Sequence, residues 1–148
     1  MSLKEQLTND MKEAMKNHEK DRLAVIRMVR GAIRQQEIDG QKELGDEDII
    51  AVLSKEVKMR KDSMEEFKKG GREDLVEKTQ AEIDVLMPYL PAQLSEEEVR
   101  ELVKAAVEQT GAATAKDMGK VMGVLMPKVK GRADGKRVNT IVRSFLQG

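Results

Sequence analysis

The stretch that decides the fold of this chain reads Asp117-Met-Gly-Lys-Val-Met-Gly-Val-Leu-Met-Pro-Lys-Val-Lys-Gly-Arg-Ala-Asp-Gly-Lys-Arg-Val-Asn-Thr-Ile-Val-Arg-Ser-Phe145. Apolar residues recur in it at intervals of three and four, which is the spacing of one face of an α-helix. Two such patterns flank a compact basic turn, Lys128–Lys136, that also contains two glycines. The stretch therefore predicts a small helical module whose central turn meets a polyanion.

Upstream of this stretch the helical spacing continues. A four-residue repeat that starts at Leu3 predicts a first helix over about residues 2–17, and a second pattern runs to about residue 38. Asp46 is expected to cap a third helix, because its carboxylate can accept backbone N–H bonds at a helix start. Gly70-Gly71 ends that helix, and a fourth helical pattern follows it.

The segment Met87–Leu94 separates two groups of predicted helices. Its two prolines stand three residues apart, and they disfavour helix and stiffen the chain. No segment shows the strict alternation of a half-buried strand over more than a few residues. The sequence thus predicts an all-α fold with two domains. A four-helix N-terminal domain, with the Pro-containing linker, covers residues 1–93, and a three-helix C-terminal domain covers residues 94–148.

Capping residues mark the starts of the three helices in the second domain. Ser95 and Glu98 have the spacing of a capping box, in which each side chain accepts from the other residue's backbone N–H. Thr114 is expected to cap a sixth helix, which should stop near Pro127 because proline lacks the N–H of a helix interior. Asp134 is expected to cap a seventh helix.

Composition bounds the class of protein. The 148 residues include no Cys, which excludes disulfides and thiolate metal sites, and His18 is the only His. One His without Cys cannot form a usual zinc site, so we expect no metal and no cofactor, and a surface or capping role for His18. No apolar run approaches the roughly 20 residues of a membrane span. We therefore expect a soluble, cytoplasmic protein.

The charges of the chain are balanced overall but not along its length. The 27 basic and 27 acidic residues cancel. Residues 116–143, however, hold eight basic against two acidic residues, a net charge of +6 that leaves −6 for the rest. Such an asymmetry indicates an anionic partner for one region, and the alternative interpretation is a solvated helical face.

The basic turn is the sharpest candidate site. Gly131 and Gly135 permit backbone conformations that are closed to other residues, so that neighbouring cations can converge on phosphates. The alternative is a joint between helices whose charges only keep it soluble, since Asp134 competes with a phosphate for the same amides. Candidate nucleic-acid contacts are Lys120, Lys128, Lys130, Arg132, Lys136 and Arg137. Candidate turn and cap residues are Gly119, Gly123, Gly131, Asp134 and Gly135.

Two further glycines, Gly119 and Gly123, stand one helical turn apart. Because a helical glycine costs up to about 1 kcal/mol relative to alanine, they predict a close approach between helices, and Gly31 is expected to have the same role. For catalysis the sequence offers no nucleophile in a recognisable setting, such as a Gly-x-Ser-x-Gly elbow. We therefore assign no catalytic residue.

The stretch from Met118 to Asn139 closely resembles the GatB/YqeY family, and Leu90–Glu98 resembles that family's inter-domain segment. The resemblance to standalone YqeY-type proteins covers the whole chain. The resemblance to the B subunit of the tRNA-dependent amidotransferase covers about residues 94–148. It implies a helical tail module of the kind that grips tRNA in that enzyme. The enzyme's catalytic domain has no counterpart here.

These observations lead to three hypotheses about function. The first is a non-catalytic protein that binds tRNA or another structured RNA, by shape and backbone because aromatic residues are scarce. The second is an adaptor whose basic turn docks on an acidic protein. The third, which rests on family association alone, is an accessory to a carbon–nitrogen ligase that uses glutamine as amido donor. The expected partners are thus RNA or protein, and no membrane.

Overall fold

The computed structural model describes residues 1–146, and all regular structure in that range is helical. The α-helices are α1 (Leu3–Lys16), α2 (Lys20–Gly40), α3 (Asp46–Lys69), α4 (Glu73–Leu86), α5 (Glu96–Thr110), α6 (Met118–Val129) and α7 (Gly135–Phe145). Two 3-10 turns lie at Met87–Tyr89 and Ala115–Asp117. The prediction of an all-α fold is confirmed. Within the described range, no helix is both long and apolar enough to cross a membrane.

The chain forms two compact units, each with its own hydrophobic core. The first unit is Met1–Leu90, and the second begins at Pro91. In the first unit, α1 to α4 bury a core that includes Leu7, Ile26, Leu53 and Leu86. In the second unit, α5 to α7 bury a core that includes Val103, Val121, Leu125 and Val142. Each unit therefore buries its own apolar surface, which is the main favourable contribution to folding.

The single tyrosine ties the end of the first unit to its first helix. The buried Tyr89 donates its hydroxyl hydrogen to the Asp10 carboxylate, 79 residues earlier in the chain. Arg22 Nη2 lies 3.8 Å from the other oxygen of Asp10. Burial, and then the hydrogen bond to Asp10, raise the pKa of Tyr89 well above its ordinary value. The hydroxyl therefore remains a neutral donor at physiological pH.

The prediction that Asp46 caps the third helix is wrong. Gly45 is the N-cap of α3, and its N–H donates to the Asp48 carboxylate at 3.2 Å. Asp46 is the first residue of α3, and its Oδ1 accepts from the Leu3 N–H at the start of α1, at 3.0 Å. The carboxylate thus caps a different helix from the one expected. The tertiary fold supplies this free N–H from 43 residues away.

The helix starts in the second unit follow the sequence more closely. The capping box is confirmed, because Glu98 N–H donates to Ser95 Oγ at 3.1 Å and Ser95 N–H donates to Glu98 Oε1 at 3.0 Å. Thr114 precedes the 3-10 turn Ala115–Asp117, and α6 begins only at Met118.

The sixth helix was expected to stop near Pro127, and α6 ends two residues later, at Val129, after passing through the proline. Proline lacks only one helical N–H, and near a helix end that loss removes a single hydrogen bond. Val129 is buried in the core of the second unit, which favours the additional residues of helix.

We predict that Tyr89→Phe lowers the free energy of unfolding by about 1 kcal/mol, because the buried Asp10 contact is lost while the ring still fills its site. Urea denaturation followed by circular dichroism measures the change. An unchanged transition midpoint would show that the Tyr89–Asp10 contact contributes nothing to stability.

Candidate nucleic-acid interface

The basic turn between α6 and α7 closes on the carbonyl oxygen of Val129. The backbone N–H groups of Arg132 and Ala133 both donate to this oxygen, at 2.8 and 3.1 Å. Gly131 allows the reversal, because its φ of +75° lies in the left-handed region that residues with a Cβ avoid. A β-branched or bulky residue at this position would strain the turn.

Three hydrogen bonds join this turn to the segment that precedes α5, and we call them the turn clamp. The Leu94 N–H donates to the Arg132 carbonyl at 2.8 Å, and Gln93 Nε2 donates to the Gly131 carbonyl at 2.9 Å. Arg132 Nε donates to the Ala92 carbonyl at 3.1 Å. Arg132 is half-buried here, so its guanidinium already holds the protein's own backbone.

Arg137 is paired with a carboxylate of its own unit. Its Nη2 lies 2.7 Å from Glu96 Oε2, and Arg100 Nη2 lies 3.4 Å from Glu96 Oε1. The hydrogen bond from Arg137, and then its charge, lower the pKa of Glu96. The Arg137 and Glu96 side chains are 62% and 46% exposed, and ion pairs this exposed contribute little to stability. A phosphate at Arg137 Nη2 would compete with Glu96 for this nitrogen.

The other four candidate contacts form what we call the lysine set: Lys120, Lys128, Lys130 and Lys136. All four residues are exposed. Within residues 1–146, none of their side chains forms an ion pair or a hydrogen bond. Lys120 does act on Asp117, although the backbone N–H groups of Ala113 and Thr114 are the larger causes that lower the pKa of this carboxylate. The six basic candidates thus divide into two engaged arginines and four solvated lysines.

Lys136 also lies at the edge of a shallow depression of about 380 Å³. Thr140 and Ser144 continue its face of α7, and Glu96, Arg100, Arg137 and Ile141 complete the lining. Glu96 is the one carboxylate in this lining, and Arg100 and Arg137 both contact it. Of the three cations in the depression, Lys136 is therefore the one without a carboxylate partner among residues 1–146.

The glycines of α6 lie on the protein surface. Apart from the glycine's own helical neighbourhood, no atom of residues 1–146 would lie within 4 Å of a Cβ at Gly119 or Gly123, and the same holds for Gly31 in α2. The prediction that these glycines allow helices to approach closely is therefore wrong, since no other helix in the described part of the chain packs against them. Intramolecular packing does not explain why α6 contains two residues that weaken a helix.

The last two turn residues differ in what they do. Gly135 is the first residue of α7 and has no left-handed backbone conformation. The expectation of a special conformation there is wrong, because Gly131 has already completed the reversal. Asp134 is the N-cap of α7, and its Oδ1 accepts from the Lys136 N–H at 3.1 Å. A carboxylate thus occupies the helix start that an anion would otherwise approach.

The sequence analysis missed the partners of both arginines. Ala92 and Glu96 lie 40 and 41 residues from the arginines that contact them, and local patterns contain no signal for such pairs. For metal binding, no group of three or more His, Cys, Asp or Glu side chains among residues 1–146 is arranged to hold an ion.

The fold and the turn define a class of small helical proteins with two units, the second of which carries an exposed basic turn. The family model described as Yqey-like protein matches residues 4–146, and the chain belongs to this family. It is similar to "Altered inheritance of mitochondria protein 41, mitochondrial" from Pyrenophora tritici-repentis, at 38% identity over 86% of this chain and 71% of that protein.

Proteins of the same name from Lachancea thermotolerans and Kluyveromyces lactis are 40% and 41% identical over 57% and 58% of this chain. The matches span only 46% and 47% of those two relatives.

The relatives correct the predicted location. They are named as mitochondrial proteins, which contradicts the cytoplasmic location expected from composition. The prediction was wrong because the absence of Cys and of a long apolar run does not distinguish the cytoplasm from a mitochondrial compartment.

We predict that Gly131→Ala lowers the free energy of unfolding by about 1–2 kcal/mol, because a Cβ is strained at a positive φ. Gly135→Ala is the matched control. It should leave stability unchanged or raise it by up to about 1 kcal/mol, since residue 135 is helical and its Cβ meets open space. Thermal and urea denaturation of the full chain measure both. Equal losses in the two variants would contradict the assigned turn conformation.

We predict that acid weakens the fold through Glu96. Arg137 lowers its pKa in the folded state, so its contribution to stability is complete above the ordinary value of 4.5 and is lost as pH falls through the lowered value. In urea denaturation between pH 6 and pH 3, Glu96→Gln should therefore show a shallower loss of stability than the parent chain. Identical slopes would show that the contact with Arg137 does not lower the pKa of Glu96 enough to affect stability.

Proposed function

We propose that this protein binds structured RNA without catalysing a reaction. The first RNA ligand to test is tRNA. The observation that carries the proposal is the lysine set. Four exposed cations lie within 17 residues of sequence, and none is neutralised by a carboxylate at contact distance within residues 1–146. Phosphates are the abundant polyanion that such a surface attracts.

The residue types indicate how the RNA is recognised. Lysine supplies a point charge, and without aromatic platforms the surface cannot stack bases. The chain has only three aromatic residues, Phe67, Tyr89 and Phe145, and Tyr89 is buried in the first unit. Recognition therefore depends on the backbone and shape of a folded RNA rather than on its base sequence.

The exposed glycines of α6 support the same proposal. Gly119 and Gly123 leave one side of the helix without side chains, next to Lys120. A bare helix face lets a bulky sugar–phosphate backbone approach the protein closely. Each glycine costs about 1 kcal/mol of helix stability relative to alanine, and RNA contact supplies a reason for that cost which the internal packing does not.

The resemblance of residues 94–148 to the tail of the amidotransferase B subunit points to tRNA in particular. The curated relatives do not extend this argument, because their names describe mitochondrial inheritance and mention no substrate. The proposal therefore rests on the surface of this chain and on that resemblance.

We predict that replacing the lysine set by alanine (Lys120→Ala, Lys128→Ala, Lys130→Ala and Lys136→Ala together) weakens tRNA binding at least tenfold. Each phosphate contact contributes about one unit to the dependence of log K on log salt concentration, so the slope should fall by about 3 to 4. Fluorescence anisotropy with labelled tRNA at 50 to 300 mM KCl would measure both quantities.

The matched control removes the same charge from the first unit, at Lys12, Lys42, Lys61 and Lys68, which are also exposed. This variant should bind tRNA within about threefold of the parent chain. Equal losses of tRNA affinity in the two variants would show that binding depends only on net charge, which would contradict a defined site. If the parent chain shows no affinity at 50 mM KCl, the proposal fails, and the adaptor hypothesis gains support from Met126 and Phe145, which are 40% and 39% exposed.

A further inference from the structure

A groove between α1 and α2, wholly within the first unit, has a volume of about 680 Å³. Leu7, Met11 and Ile33 contribute apolar surface to it, and Gly31 leaves one side open. Three arginines, Arg27, Arg30 and Arg34, also line it, and we call it the arginine groove. Its volume lies within the range of about 300–1,000 Å³ that is typical of small-molecule sites.

The three arginines follow one another along the same face of α2. Arg27 and Arg30 are three residues apart, and Arg30 and Arg34 are four apart, so each stands beside the next on the helix surface. Like charges at these spacings destabilise a helix. Their arrangement therefore works against the stability of α2 unless something anionic binds between them.

Within residues 1–146, these three arginines also have no acidic partner. Five of the ten arginines have a carboxylate oxygen within 4.0 Å: Arg22, Arg60, Arg72, Arg100 and Arg137. Within the described part of the chain, no carboxylate lies that close to any arginine of the groove. The half-buried Arg30 instead donates from Nη1 to the Met11 thioether sulfur at 2.8 Å. A thioether is a weak acceptor, so the guanidinium is positioned without being neutralised.

Two acidic side chains also line the groove, and one of them already has a cationic partner. Glu37 is paired with Lys4 and accepts the Leu44 N–H at 2.9 Å. Glu5, near the start of α1, is the other. One remaining carboxylate cannot neutralise three guanidinium groups, so the arginine groove retains a net positive charge.

We propose that the arginine groove binds a small organic phosphate. Guanidinium groups bind phosphate oxygens bidentately, which lysine cannot do, and the apolar surface of Leu7, Met11 and Ile33 accommodates an organic body attached to the phosphate. The site lies in a different unit from the lysine set and uses different residues. The phosphate-binding proposal can therefore be tested independently of RNA binding.

The test titrates the full chain with two probes, phenyl phosphate and inorganic phosphate, at constant ionic strength. Isothermal titration calorimetry measures the affinity of each. Phenyl phosphate should bind saturably and at least threefold more tightly than inorganic phosphate. Its affinity should fall at least tenfold in the double variant Arg27→Gln with Arg34→Gln. Both residues are exposed, and removing like charges should leave the melting temperature unchanged or slightly raised.

The matched control is Arg72→Gln with Arg143→Gln, which removes the same charge elsewhere and should change the affinity less than twofold. The absence of saturable binding, or equal losses in the two double variants, would overturn the proposal. Equal affinity for the two probes would overturn the role of the apolar surface. If Arg27→Gln with Arg34→Gln instead weakens tRNA binding tenfold while phenyl phosphate does not bind, the groove is an RNA contact and the small-ligand proposal is wrong.

Discussion

The second unit depends on the turn clamp. The left-handed backbone of Gly131 reverses the chain, and the consecutive carbonyls of Gly131 and Arg132 accept hydrogen bonds from Gln93 and Leu94. These bonds connect the segment ahead of α5 to the joint between α6 and α7. Hydrogen bonds to backbone carbonyls thus determine where the basic turn lies, and the lysines of the turn take no part in them. A binding surface built in this way presents solvated cations on a support held by hydrogen bonds.

Arginine and lysine have different roles in this protein. Most arginines hold carboxylates or carbonyls, as Arg60 does with Glu56 and Glu82, because a planar guanidinium can make several directed bonds at once. The lysine set stays in solvent. The arginine groove differs because it brings together three guanidinium groups that have no carboxylate partner among residues 1–146. A net charge of zero therefore conceals two cationic surfaces, one in each unit.

Much of the fold could be predicted from the sequence because helices and their caps are local. Apolar spacing depends on the 3.6-residue period, and the Ser95–Glu98 capping box involves residues three apart. The errors have non-local causes. Asp46 caps α1 rather than α3 because tertiary packing brings the Leu3 N–H to it. Gly119 and Gly123 were misread because spacing does not reveal whether another helix lies opposite.

The candidate site shows the same division. The sequence by itself determined the all-α class, the excess of positive charge over residues 116–143 and the membership of the Yqey-like family, since these follow from composition, short periods and motif. Only the tertiary structure decided which cations remain available. Arg132 and Arg137 are engaged by Ala92 and Glu96, about 40 residues away, and the arginine groove forms only where α1 packs on α2. The sequence determines the charge of a side chain, but its partners depend on which distant segments the fold brings within a few ångströms.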